Sequence, residues 1–407
     1  MDKEKVIVIG GGASGLVAAI SASRRGFQVD ILEKNDRVGK KILATGNGRC
    51  NYTNTNISSY NYYSNNKTIV DNIIDRFTPE RIVGFFKELG IQEYVDNSGK
   101  IYPNSLQSSS VLDVLRMECK HLGVKEICNS EVVDISKRDD KFKIKTTKDT
   151  YTCDKVVAAF GGKASPQLSS DGTGYPILKK LGHSVTEIFP GLVQLKIHNN
   201  NLKRISGIKV DGEISVQIDG DDIKKDFGEI LFTNYGISGP PVLQLSRHCI
   251  NMIEKNKKVV IKLDIFPKYD KNELFQLLKN RFINMKYKTI RESFIGLINK
   301  GLIDIILRES AIEKTNIPGT KFKTKDIYKI VNTLKEWKFE VLGPHYWEHA
   351  QITAGGVETS EINPETMESK LIENLYIIGE LMDVDGDCGG YNLHWAWATG
   401  YTAGRSL

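Results

Sequence analysis

The chain has 407 residues, 40% hydrophobic and 26% charged, with a net charge of +6. That length suits two or three domains with a large core, and no apolar run approaches the roughly 18 residues of a membrane span. Six cysteines at 50, 119, 128, 153, 249 and 388 form no CxxC pair and the first strand begins by Val6, a pattern that argues against a disulfide framework, a zinc module or a signal peptide and leads us to expect a cytoplasmic protein.

Val6 to Ile9 is a short β-branched run that reads as a buried parallel strand, and Gly10-Gly-Gly12-Ala13-Ser14-Gly15 follows at once. Leu16 to Arg25 then reads as a helix. In a GxGxxG turn the first glycine permits the tight bend. The second lets backbone approach a pyrophosphate, and the third lets helix and strand pack closely. The helix N-terminus offers free N–H groups to the same anion. Val29 to Leu32 is a second apolar run ending in Glu33, placed to accept hydrogen bonds from ribose hydroxyls. A glycine-rich turn in an ordinary α/β domain would not require that acid. Gly10, Gly12, Ala13, Ser14, Gly15, Glu33 and Lys34 are therefore expected to hold the adenosine and diphosphate end of a dinucleotide.

Residues 35–51 are rich in glycine and polar groups and read as a functional loop without regular structure. Its expected cofactor contacts are Lys40, Lys41, Thr45, Gly46, Gly48, Arg49, Cys50 and Asn51, with the cations facing a diphosphate or a flavin. Residues 52–67 read as an excursion. Thr78-Pro79 starts a helix running to Leu89, and Val111 to Leu122 reads as another. Asn97-Ser-Gly99 marks a hairpin turn. Residues 124–153 read as a meander in which Val132 is expected to pack against an adenine ring. Lys155 to Phe160 returns as a buried strand ending in Gly161-Gly162, a second contact at the same sheet edge.

The character changes near Phe189-Pro190. Residues 191–265 alternate as strands, with turns expected at Asp211-Gly212 and Asp219-Gly220. Residues 270–338 read as helices, including Glu273 to Arg281, Ile290 to Asn299, Leu302 to Glu309 and Asp326 to Lys335. From Lys268 to Glu340 there are 16 Lys and Arg against 9 Asp and Glu. That surplus reads first as a solvated face, second as a rim attracting an anionic substrate. No nucleic-acid-binding motif accompanies it, so stable nucleic-acid binding is not expected. His345-Tyr-Trp-Glu348-His349 matches an HxxEH pattern, but Pro344 and a strand-like Gln351-Ile-Thr leave no room for the helix a zinc site needs, and no metal site is expected. The expected domains are 1–187 with 351–407 for the cofactor, 188–268 with 339–350 as a β insert, and 269–338 as its helical part.

The last segment returns to α/β. Asn374 to Ile378 is a strand ending in Gly379-Glu380, then a loop reaches Gly389-Gly390-Tyr391-Asn392, and Leu393 to Arg405 is a helix. A fingerprint rejoined some 370 residues later by a strand, a Gly-acid pair and a helix start suits a long FAD. Gly379, Glu380, Gly389, Gly390, Tyr391, Asn392 and Leu393 are its expected contacts at this end. His394 is the candidate acid–base residue, weighed against a structurally hydrogen-bonded histidine at a helix start. Gly161-Gly162 lacks GxGxxG spacing, so NADH or NADPH would act only as a transient donor.

Gly39-Lys-Lys-Ile-Leu-Ala-Thr-Gly-Asn-Gly-Arg-Cys-Asn-Tyr-Thr-Asn54 resembles the signature of a bacterial FAD flavoprotein family. The family includes BaiN-like bile-acid enone reductases and aminoacetone-oxidase-like proteins. Phe232 to Pro240, Gln351 to Val357, Thr366 to Ser369 and Gly389 to Trp397 look like its other motifs. The resemblance implies an α/β fold: a Rossmann-type FAD domain of glutathione-reductase-like layout, interrupted by a β-barrel-like and helical insert. It also implies an FAD-dependent oxidoreductase acting on a small organic substrate, an enone-type C=C reduced at the expense of NAD(P)H. An amine-type oxidase using O₂ and a non-catalytic redox sensor are the alternatives. Asn234 stands where the family frequently has His, and His394 where Gln is usual.

Overall fold

The computed structural model describes residues 3–199 and 201–407. It separates into two compact units, one formed by 1–190 with 351–407 and one by 191–350.

The first unit is built on a five-stranded parallel sheet in the order Leu375–Ile377, Lys155–Ala158, Lys5–Ile9, Gln28–Leu32, Lys125–Ile127. Val6, Ile7 and Val8 are wholly buried, as an apolar run covered on both faces must be. The first helix, Ala13–Arg24, buries Ser14 through Ala22 against the last helix, Tyr391–Ser406. Two glycines make this contact close. A Cβ on Gly400 would lie 2.3 Å from the Ser14 carbonyl oxygen, and one on Gly404 would lie 2.5 Å from that of Ala18. Both contacts advance by four residues, so the helices run parallel. An antiparallel meander of Val132–Arg138, Lys141–Thr146 and Thr150–Cys153 completes the unit. Where the chain leaves this unit and returns to it, Ser184 to Thr186 lie beside Gly356 to Glu358, joined by Thr186 N–H to Gly356 O at 2.9 Å and Glu358 N–H to Ser184 O at 3.0 Å.

The second unit is a closed six-stranded antiparallel barrel, ordered Leu195–His198, Gly236–Ser238, Asp221–Phe232, Lys209–Ile218, Val259–Asp264, Trp337–Pro344. Alternate residues of Trp337–Pro344 point inward, and Trp337 and Phe339 pack at 4.8 Å between centroids. Helices Lys271–Asn284, Lys300–Glu309 and Thr324–Lys335 lie between the last two barrel strands in sequence.

Several sequence expectations are corrected. The loop after Glu33 contains a short helix, Lys40–Ala44, and a tight turn, Thr45–Gly48. Asp211-Gly212 is not a turn: the strand runs through it, and Gly212 lies against the Asp264 backbone, 2.6 Å from where its Cβ would be. Ile290–Ser293 is one helical turn, ended before Gly296, whose φ is +81°. The helix Pro240–Glu254 stands where strands were expected, and a helix without an expectation, Lys67–Arg76, follows the excursion. The barrel strand begins at Trp337, two residues before the expected return at 339.

Replacing Gly400 with Leu forces the two helices apart. We expect Gly400→Leu to lower unfolding stability by about 1–3 kcal/mol in urea titrations. Gly84→Ala, whose Cβ would meet nothing within 4 Å in the helix Pro79–Glu88, should leave stability unchanged or raised. Equal midpoints for the two variants would disprove the packing argument.

Candidate functional site

The site begins at the first helix. Gly10 has φ +100°, and a Cβ there would sit 2.3 Å from the Ala159 carbonyl oxygen. Gly15 is equally confined, 2.0 Å from the Gly10 oxygen. Gly12 differs: its Cβ would meet no atom within 4 Å. It is the helix N-cap and brings no side-chain cap, so no capping side chain satisfies the first-turn N–H groups that an α-helix leaves without an intrahelical partner. That is the arrangement a diphosphate requires. Glu33, 7% exposed, accepts from Gly11 N–H at 2.9 Å and from Asn35 N–H and Nδ2 at 2.9 and 2.7 Å. A carboxylate has about four acceptor positions, so capacity remains for a hydroxyl donor. Ser130 N–H donates to the Glu33 carbonyl, which brings the strand of buried Val132 close to this end.

The lysines expected at the cofactor are each ion-paired. Lys34 pairs with Asp171, Lys40 with Asp36 and Lys41 with Glu380, each at 2.7 Å. Their charge is balanced by carboxylates, which leaves the helix terminus as the electropositive element at the diphosphate end. Glu380 joins three segments: Oε2 holds Lys41, and Oε1 accepts from Thr353 N–H at 2.8 Å. The Thr353 hydroxyl accepts from Lys163 and Ala164 N–H, and a Cβ on Gly162 would strike it at 2.2 Å. Gly161, with φ +75°, opens this turn. Gly379 has φ +71°, and a Cβ there would lie 2.5 Å from Ser14 Oγ.

In the second segment, Thr45 Oγ1 donates to Ile42 O at 2.6 Å. Gly46 and Gly48 both have positive φ, and Asn51 packs against Gly46. Arg49 is exposed, its guanidinium 5.2 Å from the Tyr102 ring centre. Cys50 is fully buried, and burial pushes its thiol up to about 12, so it stays protonated at neutral pH.

The far end is the N-terminus of the last helix. Gly390, φ +100°, caps it without a side-chain bond, and a Cβ there would lie 2.5 Å from the Thr53 oxygen. Asn54 Nδ2 donates to Gly389 O at 2.9 Å. Asn392 is a loop clip, accepting from Gly386 N–H and donating to Gly386 O, each at 2.8 Å. The Tyr391 carbonyl accepts from the Tyr62 hydroxyl at 3.0 Å, and Leu393 packs on the core. Ten residues separate Gly390 from Gly400, which meets Ser14. The two uncapped helix N-termini are thus offset by roughly 12 Å along a common direction.

His394 is corrected. It is 0% exposed, with Nδ1 2.8 Å from Thr53 Oγ1 and Nε2 2.7 Å from Phe77 O. A carbonyl can only accept, so Nε2 carries the proton and Nδ1 accepts from the threonine. Burial depresses its pKa to about 4. Enclosed, neutral and doubly bonded, it ties the helix start to two other segments and is not an acid–base group. Thr53, Lys100 and Thr353 escaped sequence reasoning. Thr353 lay in view within Gln351–Val357; nothing in the sequence connects Lys100 to the last helix.

A parallel sheet with a glycine turn at its first helix, an acid at the second strand end and a second helix start further along define the FAD-binding Rossmann-type oxidoreductases. The chain belongs to the HI0933-like protein Rossmann domain family, whose model matches residues 4–406. It is 37% identical over 404 residues to the 3-dehydro-bile acid delta(4,6)-reductase of Clostridium scindens, covering 99% of this chain and 98% of that one. It is 29% identical over 408 residues to the ribosomal RNA dihydrouridine synthase of Haemophilus influenzae, covering 98% of each. Among solved structures, an open flavocytochrome c3 fumarate reductase shares the fold at 16% identity and TM-score 0.51, over all of this chain and 78% of that one.

His394 carries a pH signature. Its folded pKa lies below the ordinary 6.5, so its stability contribution is complete above about pH 6.5 and is lost as pH falls towards 4, on the order of 3 kcal/mol in all. Thermal melts of His394→Gln should show a flatter stability profile across that window. The pH dependence of kcat/KM should be unchanged; a lost limb would restore the acid–base role.

Proposed function

We propose that this protein binds FAD between its two uncapped helix N-termini and reduces a carbon–carbon double bond conjugated to a carbonyl, with NADH or NADPH as transient donor. The offset of those termini carries the reading. One free N-terminus beside Glu33 suits an adenosine diphosphate, and a second along a parallel helix suits the distant ring system of an extended dinucleotide. Gly10, Gly12, Ala13, Ser14, Gly15 and Glu33 would hold the first end. Gly46, Gly48, Asn51, Gly389, Gly390 and Tyr391 would hold the second. When bound, FAD supplies the hydride chemistry. The chain supplies orientation, backbone donors and positive potential. The bile-acid reductase relative supports an enone-type substrate.

Purified protein should be yellow, absorbing near about 450 nm. Anaerobic NADH or NADPH should bleach it, and an enone should restore the colour. Bleaching by amines with oxygen uptake would favour an oxidase. A loaded protein that no donor bleaches would sink the reductase reading and favour a redox sensor.

A second reading has its own observation. The segment 313–323 is laced onto 288–291 by Gly319 N–H to Lys288 O at 3.2 Å and Ile290 N–H to Ile317 O at 3.0 Å. This brings the segment that leads to Lys321, Lys323 and Lys325 alongside the one that follows Lys286 and Lys288, where Lys288 Nζ lies 5.5 Å from the ring centre of Tyr287, 84% exposed. None of the five lysines forms an ion pair among the described residues. Uridine also carries an alkene conjugated to a carbonyl, so an RNA substrate needs no change in chemistry, and the dihydrouridine synthase relative supports it. RNA binding should then weaken steeply with salt, and each Lys→Gln change in this group should reduce the salt slope by roughly one. Salt-insensitive or absent binding would remove this reading.

A further inference from the structure

Hydride transfer from a nicotinamide adds two electrons and one proton to a bound flavin, so the site gains one negative charge. A helix N-terminus opposes only part of it. The lysines expected from the sequence, Lys34, Lys40 and Lys41, each hold a carboxylate that offsets their charge.

Lys100 is different. It opens the strand Lys100–Pro103, just after the Asp96–Gly99 turn, and pairs across to Asn54. Its ε-carbon lies 3.3 Å from where a Gly389 Cβ would be, with Asn54 Nδ2 at 3.5 Å and the Tyr391 ring at 3.6 Å. The half-buried stem is therefore packed on the glycine pair that caps the last helix. Its ammonium forms no ion pair among the described residues. On its own hairpin, Asp96 takes Ser98 N–H, Ser98 Oγ and Lys100 N–H on Oδ1. Against desolvation, which would raise it, these bonds and the nearby Lys100 charge hold its carboxyl below the usual range, but the two side chains form no ion pair. Asp387 in the facing loop receives Asn61 and Tyr63. Arg49, the other cation here, is exposed and stacked on Tyr102, where water screens it.

We propose that Lys100 acts with the Gly390 helix terminus to raise the electron affinity of the cofactor site, as an ammonium outside any ion pair beside the glycine pair that caps the last helix. The inference rests on the FAD reading above. It assigns Lys100 to the reductive half of the cycle and leaves substrate choice to other residues.

The test uses purified holoprotein. Midpoint potentials are measured by equilibration with reference dyes, and sulfite affinity by flavin absorbance. Lys100→Met keeps the stem packing and removes the charge; Lys100→Arg keeps the charge; Arg49→Gln removes the exposed cation. Lys100→Met should disfavour two-electron reduction about tenfold, a shift of about 30 mV to lower potential, and should weaken sulfite binding comparably. Lys100→Arg should restore most of both, and Arg49→Gln should change little. A yellow Lys100→Met protein with unshifted potential and sulfite affinity overturns this inference alone. If Lys100→Met loses FAD, Lys100→Gln and Lys100→Arg decide by potential, and equal values for those two also overturn it. A wild-type protein that takes up no FAD overturns the cofactor reading and this inference together.

Discussion

The approach of two backbones, Gly400 on Ser14 and Gly404 on Ala18, sets the geometry on which the site depends. Side chains of any size at those positions would hold the first and last helices further apart. Held together, they act as one parallel pair joining segments nearly 400 positions apart in the chain. The start of one helix is then fixed against the sheet by Gly10 and Gly15, and the start of the other projects beyond it. Neither terminus is capped by a side chain. Each keeps backbone donors that must be satisfied by something outside the helix. The protein thus builds two positive foci from peptide dipoles, with a spacing set by helical rise.

Fixed dipoles differ from the lysines nearby. A lysine on a flexible stem finds the nearest carboxylate, and three of them have done so. Backbone dipoles cannot be neutralised in that way, because their orientation is part of the fold. Glu380 shows the same logic from the acid side. Its carboxylate bonds both to Lys41 and to the Thr353 backbone, so it organises the turn at Gly162.

Much of this was legible in the sequence because it is local. Gly10 to Glu33 can be read from spacing alone, since each residue's role is set within one βαβ unit. The barrel was legible as alternation and a genuine turn at Asp219-Gly220, where both residues have positive φ. What was not legible depends on distant partners. The alternation of its neighbours hid the helix Pro240–Glu254, although Pro240-Pro241 marked its start. Asp211-Gly212 looked like a turn because the glycine's real purpose, room for the Asp264 backbone, lies across the barrel. His394 looked reactive because nothing in its own segment reveals Thr53 and Phe77. Lys100 was missed for the same reason, its relation to Gly389 being purely tertiary.

The neck at Ser184 to Thr186 and Gly356 to Glu358 has a consequence for how such a protein can change. The chain leaves the Rossmann unit and re-enters it at adjoining, hydrogen-bonded positions. To that unit, the 160 residues of 191–350 amount to a loop whose ends already meet. Loop-closure entropy grows only logarithmically with length, so a module of different size in that place alters host folding by well under the stability of a domain. Insertion, exchange or enlargement of the module therefore adds little closure entropy for the cofactor half to offset. One lineage can carry an unchanged redox core while its second unit diversifies at its own pace.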